Sequence, residues 1–211
     1  MRFITVLLSV AFMAMITGCS KENDPGSVAG DGLLIDHSCA KLTPIPLEWI
    51  SAAKENLHIA YGHTSHGSQL TEGMSGLVSF KGISYSWNNG GTDGALDLHD
   101  YAMSGDLGNP DRTSWASRTR TYLAQNKDVN VVIWSWCGEV SNASEADINT
   151  YLNLMNDLER DFPDVKFVYM TGHLDGTGLT GNLHLRNEQI RNYCRENKKI
   201  LYDFEDIESY N

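Results

Sequence analysis

The sequence has little positive charge and no apolar run long enough to cross a bilayer comfortably. Its 211 residues include 16 lysines and arginines against 27 aspartates and glutamates, a net charge of -11. This balance argues against nucleic acids and anionic membrane surfaces as partners, because both are negatively charged. The apolar run at residues 3–16 is shorter than a membrane span needs. Length and composition instead suit one globular domain with a sizeable core.

The first 32 residues predict a leader and a tether outside the folded domain. Arg2 precedes the apolar run, which ends in Ile16-Thr17-Gly18-Cys19. That ending resembles the bacterial lipobox, which implies a signal peptide at residues 1–18 and lipid on Cys19. We therefore expect export to the cell envelope, with the lipid alone holding the protein to a membrane. Residues 19–32 are polar and glycine-rich, as in a flexible tether, and residues 33–211 form a single domain.

Cysteine is scarce, and its spacing does not indicate a metal site. With Cys19 lipidated, Cys39, Cys137 and Cys194 remain, so at most one disulfide bond forms among them, and the sequence leaves the pair open. His63 and His66 suggest metal ligation, but a loop His-x-x-His lacks the i, i+4 spacing of helical zinc sites. Four residues elsewhere in the chain could complete such a site: His99, His173, Asp175 and His184. We weigh this alternative as the weaker one and predict no metal and no cofactor.

Strand-like and helix-like patterns alternate along the domain. Apolar runs typical of strands occupy residues 58–62, 83–87, 130–136, 166–170 and 200–204. Helical periodicity occupies residues 46–57, 69–78, 111–126, 146–162 and 185–197. The alternation predicts an α/β protein: a three-layer α/β/α sandwich around a parallel sheet of about five strands, flavodoxin-like in type. Residues 88–110 show no clear period, and irregular stretches of that length are usually functional or mobile.

The stretch HIAYGHTSHGSQL at residues 58–70 contains the candidate nucleophile. It reads as a strand that runs into a small-residue turn, with Ser65 at the apex and Gly67 allowing a tight fold behind it. A hydroxyl placed there lies at the carboxyl end of a strand and beside a helix N-terminus, whose free N–H groups can stabilise an oxyanion. The alternative is a loop whose hydroxyls only cap the next helix.

Polar residues also follow two other predicted strands, as Cys137-Gly138-Glu139 and Gly172-His173-Leu174-Asp175. Parallel sheets bind ligands at the carboxyl ends of their strands. A serine hydrolase needs a nucleophile, an imidazole base and usually a carboxylate. We assign these roles to Ser65, His184 and Asp175. The residues predicted to contact substrate are His63, His66, Glu139 and His173.

Serine after the first long strand, glycine in a later loop and histidine before the last helix together resemble the SGNH (GDSL-like) hydrolases. The stretch VVIWSWCGEVSNASEADINTYLNLMNDLERDFP at residues 131–163 is similar to the Trp-x-Gln-Gly-Glu region of their sialate O-acetylesterase-like branch. The resemblance implies an esterase that removes acyl groups, acetyl in particular, from a small-molecule or glycan ester. It also implies three oxyanion donors: the N–H group of Ser65, the N–H group of Gly108 or Gly105, and the side chain of Asn142.

Two departures from that family leave a second function open. Gly181 stands where the family has an aspartate three residues before its histidine, and Cys137 replaces a glutamine. These changes favour a catalytically silent surface module that binds a glycan or a protein. Four tryptophans also have two possible roles, either as a platform on which a sugar stacks or as core residues. They are Trp87, Trp115, Trp134 and Trp136.

Overall fold

The structure is a computed structural model, and it describes residues 32–41 and 45–210. The predicted signal peptide, the lipidated Cys19 and almost all of the tether lie outside the described residues. In the part of the chain that is described, no helix is both long enough and apolar enough to span a membrane.

One parallel sheet forms the centre of the domain. Its strands, numbered along the chain, are β1 Leu33–Ile35, β2 His58–Gly62, β3 Trp87–Asn88, β4 Leu96–His99, β5 Val131–Trp134, β6 Lys166–Met170 and β7 Ile200–Tyr202. Their order across the sheet is β1-β7-β6-β5-β2-β4-β3, and every neighbouring pair is parallel. The predicted α/β architecture around a parallel sheet is therefore confirmed.

Within residues 32–41 and 45–210, six α-helices connect or follow these strands. They are α1 Leu47–Asn56, α2 Ser68–Lys81, α3 Ser114–Gln125, α4 Glu145–Asp161, α5 Asn182–Glu196 and α6 Phe204–Ser209. The connections that contain α1 and α2 move across the sheet towards β3, whereas those that contain α3, α4 and α5 move towards β1. Because the crossovers are right-handed, α1 and α2 lie on one face of the sheet and α3, α4 and α5 on the other. The helix start at α4 is the clearest in sequence terms, since Ser144 and Asp147 form a reciprocal capping box.

The sheet has seven strands, where the sequence predicts about five. β1 pairs with β7 at one edge, and β4 pairs with β2 inside the stretch expected to be irregular. The strand predicted at residues 83–87 is wrong in its bounds, because Ile83–Tyr85 forms a 3₁₀ turn and only Trp87–Asn88 pairs. Asp97 in β4 breaks the apolar pattern, and it is buried because His58 binds its carboxylate at 2.7 Å.

The core contains most of the tryptophan side chains. Trp115, Trp134 and Trp136 are at most 1% exposed and contact one another or Tyr151. The core reading of these three residues is therefore confirmed, and they are unavailable as a sugar platform. Cys137 and Cys194 are free thiols, so neither forms the disulfide bond that the sequence leaves open.

Candidate active site

The strand order creates a crevice at the carboxyl ends of β2 and β5. These neighbours pair in register from Ile59 with Val131 to Gly62 with Trp134. After β2 the chain crosses towards β3, whereas after β5 it crosses towards β6 on the opposite side. Connections that diverge in this way leave the space between the two strand ends open, which is where open α/β sheets bind ligands. The turn that holds Ser65 directly follows β2 at this crevice.

The turn containing Ser65 has an unusual backbone. Ser65 is exposed and has φ of 38°, in the left-handed region that residues with a side chain rarely adopt. Tyr61 donates a hydrogen bond of 2.7 Å to the carbonyl of Gly67. A Cβ on Gly67 would overlap His63, and one on Gly62 would lie 2.6 Å from the Trp134 ring. The turn is therefore held by close packing beneath it, and such strained residues cluster at functional sites.

His63 lies under this turn and not in the crevice itself. Its ring is 1% exposed and stacks between Tyr61 and Tyr101, with centroids 4.3 and 4.0 Å away. Its Nε2 is 2.6 Å from the Asp100 carboxylate, whereas its buried Nδ1 has no partner. This packing supports the turn, and the predicted substrate contact of His63 stays a prediction.

A glycine-rich loop is tied to the Ser65 turn through Asp106. The Thr64 hydroxyl donates to one carboxylate oxygen of Asp106, and the Leu107 amide donates to the other at 2.9 Å. Gly105 and Gly108, the predicted oxyanion donors, flank this segment in left-handed conformations with φ of 83° and 89°. A Cβ on Gly108 would crowd Trp136 at 3.2 Å, so glycine lets the loop backbone approach the end of β5.

Glu139 faces the same loop from the end of β5. Asp106, Cys137 and Glu139 each offer one ligand atom within 4.8 Å of the others. Burial and, next, the charge of Asp106 raise the pKa of Glu139 above its ordinary value. One oxygen of Glu139 is buried without a hydrogen-bond partner, and Arg112 donates to its main-chain carbonyl at 3.3 Å. The crevice thus holds a carboxyl group whose pKa is raised by burial, and perturbed carboxyl groups of this kind are common at functional sites.

Replacing Glu139 with glutamine is expected to stabilise the protein at pH 7. The pKa of Glu139 is higher in the folded than in the unfolded state, so the folded protein holds the ionised carboxylate less favourably than the unfolded chain does. At pH 7 the ionised group therefore lowers the free energy of unfolding. The gain should disappear below the ordinary pKa of 4.5, where both states are protonated. Urea denaturation at pH 7 and near pH 4 measures it, with exposed Glu196→Gln as control. Lower stability of Glu139→Gln at pH 7 would contradict the expectation.

Two histidines stack at the edge of the crevice. The rings of His66 and His173 are parallel to within 16°, with centroids 3.8 Å apart. His66 follows Ser65 and is exposed, whereas His173 follows β6 and is 8% exposed. Nδ1 of His173 is 2.7 Å from the Leu174 carbonyl, and its Nε2 is buried without a partner. This contact joins the loop after β2 to the loop after β6 across the end of β5.

The other predicted members of the triad have different partners. Nδ1 of His184 is 3.1 Å from a carboxylate oxygen of Glu205, which follows β7. Asp175 accepts hydrogen bonds from Ser141 at 2.8 Å and Thr177 at 2.6 Å. Within the described residues no hydrogen bond joins Ser65, His184 and Asp175, and the carboxylate beside His184 is Glu205. Asn142 is exposed at the end of the 3₁₀ turn Glu139–Asn142, and its role as an oxyanion donor stays a prediction.

Three groups of side chains in the described part of the chain have the spacing of metal ligands. Two of these groups lie away from the crevice: Asp36 with His37 and Asp206, and His58 with Asp97 and Asp128. The third group lies at the crevice and consists of Asp106, Cys137 and Glu139. The third could bind zinc in principle, because zinc accepts thiolate and carboxylate ligands. Asp106 already accepts two hydrogen bonds, however, so its oxygens are engaged without a metal.

Three polar residues near the crevice were not predicted from the sequence: Asp100, Asp106 and Arg112. Glu205, the carboxylate beside His184, was not predicted either. Asp106 had a local signal, since it lies between two glycines in the unpatterned stretch. Scans of the chain against protein-family models and against curated proteins found no match.

Proposed function

We propose that this chain is a serine esterase of the SGNH type that removes acyl groups, acetyl in particular, from a carbohydrate. One observation carries the proposal: Ser65 is exposed and has a left-handed backbone conformation in the turn between β2 and α2, at the crevice between β2 and β5. In α/β hydrolytic enzymes, a nucleophilic serine on a strained strand-to-helix turn is exposed to solvent at the carboxyl edge of the sheet in the same way. The preference for carbohydrate esters rests only on the resemblance of residues 131–163.

Two further features support an acyl-transfer reaction at Ser65. The turn leads directly into α2, so the amino end of this helix, with its partial positive charge and its N–H groups, comes directly after Ser65 in the chain. The loop with Gly105 and Gly108 is tied to the turn by the Thr64–Asp106 hydrogen bond, which brings a second set of backbone N–H groups near. We also propose, from residues 16–19 alone, a lipid-anchored enzyme of the bacterial cell envelope.

A surface module without catalytic activity is the second candidate. It is favoured by one observation, that the Ser65 hydroxyl makes no hydrogen bond to an imidazole among the described residues. A nucleophilic serine requires a base that accepts its proton. Catalytic hydrogen bonds often form only once substrate is bound, so labelling with a reactive probe separates the two functions.

A fluorophosphonate probe is expected to phosphonylate the purified protein on Ser65. The probe reacts with an activated serine hydroxyl and leaves a stable adduct, which peptide mass spectrometry assigns to a residue. Ser65→Ala should remain unlabelled, whereas Ser79→Ala, an exposed serine of α2, should label like the wild type. An adduct on another serine, or a folded protein that neither labels nor hydrolyses any ester, would favour the surface module.

A further inference from the structure

His173 has two features that packing alone leaves unexplained. Its Nε2 is buried and has no hydrogen-bond partner among the described residues, and an unpaired polar group inside a protein is unfavourable. Its ring also stacks on His66, the residue next to the proposed nucleophile. His173 thus contacts the residue that follows Ser65 and has a ring nitrogen without a partner, and a nucleophilic serine needs such a nitrogen to accept its proton.

The protonation of the His173 ring follows from its neighbours. A main-chain carbonyl can only accept, so the contact of 2.7 Å to the Leu174 oxygen requires that Nδ1 carry the hydrogen. In the neutral ring Nε2 then holds a lone pair. The carbonyl thus performs the orienting role that a carboxylate has in many triads, and the basic nitrogen is left free.

Strand order separates His173 from His184, the base expected from the sequence. His173 follows β6, which lies two strands from β2. The ring of His184 contacts Glu205, which lies beyond β7, three strands from β2. The His66 ring bridges the shorter gap directly, since it contacts His173. None of the contacts among the described residues links His184 to the loop after β2.

We propose that His173 is the general base for Ser65, an inference that rests on the proposed esterase function. Nε2 accepts the hydroxyl proton as Oγ forms a bond to the ester carbonyl carbon. The imidazolium returns this proton to the alcohol oxygen as the carbon–oxygen bond breaks, which leaves acyl-Ser65. Water then loses a proton to the same Nε2 and attacks the acyl carbon. Carboxylic acid leaves, and Ser65 regains its proton.

Asparagine substitutions test this assignment, because the asparagine amide can still donate to the Leu174 carbonyl but cannot act as a base. His173→Asn is expected to lower kcat/KM for an aryl acetate by about 10²–10⁴-fold, the usual contribution of a general base. His37→Asn is the control, because the partly exposed His37 ring lies beside Asp206 away from the crevice, and it should keep its activity. Added imidazole should partly restore His173→Gly and should not restore Ser65→Ala.

Different results would overturn the role of His173 as the base and the esterase function itself. Activity lost in Ser65→Ala and in His184→Asn but kept in His173→Asn would overturn the base assignment and leave the esterase. Absence of labelling and hydrolysis in the wild type would overturn both.

Nitrogen-15 NMR of the wild-type histidines requires no variant and therefore does not depend on folding of the substituted protein. We expect the Nδ1–H tautomer for His173 before phosphonylation of Ser65 and two protonated ring nitrogens afterwards. The Nε2–H tautomer in the free protein would overturn the assignment.

Discussion

Ser65→Ala is expected to lower kcat/KM for an aryl acetate by about 10³-fold or more, because no other group replaces the attacking oxygen. The loss should appear without unfolding, since the Ser65 side chain makes no hydrogen bond to another described residue. Initial-rate assays and thermal melts of the same preparation measure both quantities. If Ser65→Ala kept more than about a tenth of the wild-type kcat/KM, the nucleophile would be another residue.

The strained backbone at Ser65 gives this prediction a second readout. Ser65→Gly should be as inactive as Ser65→Ala but more stable than it by up to roughly 1 kcal/mol, because glycine adopts φ of 38° without a steric penalty. Ser79→Gly, inside α2, is the matched control and should lose stability. If Ser65→Gly were clearly less stable than Ser65→Ala, the turn would store no strain, and the main support for its special role would be lost.

Arg191→Met is expected to destabilise the protein by about 3–5 kcal/mol, the largest stability loss we predict. Arg191 in α5 binds Asp203 through two nitrogens at 2.6 Å each and Glu205 at 2.8 Å. The three side chains are at most 9% exposed, so removal of the guanidinium leaves buried carboxylates unpaired. Urea denaturation should show the loss, and Arg195→Met, an exposed arginine of the same helix, should change stability by less than about 0.5 kcal/mol.

A second substitution distinguishes the cause of that loss. Glu205→Gln added to Arg191→Met should recover part of the stability, because it removes one of the unpaired charges. No recovery would mean that Arg191 acts through packing of its alkyl stem. The same ion cluster holds the carboxylate beside His184, since the second oxygen of Glu205 lies 3.1 Å from that ring. Arg191 therefore belongs to the part of the sheet edge near β7 and not to the Ser65 crevice.

Much of the fold could be predicted because its signals are local. Residues 131–134 and 167–170 are continuous apolar runs, as strands buried on both faces require, and both lie in strands. The amphipathic pattern at residues 146–162 predicts α4, Glu145–Asp161, to within one residue at each end. β4 was missed because Asp97 looks like a loop residue until His58, 39 positions away, provides its partner. β1 was missed because three residues beside a tether contain too little pattern.

For the candidate site, the sequence by itself determined which reactive side chains are present and at which edge of the sheet they lie. Polar residues follow β2, β5 and β6, and parallel strands bring their carboxyl ends to one side. Only the tertiary structure decided which residues meet: Thr64 with Asp106, His66 with His173, and His184 with Glu205. The physical reason is that side-chain pairing depends on strand order and on the path of each crossover. Contacts between distant residues set both, and no local pattern encodes them.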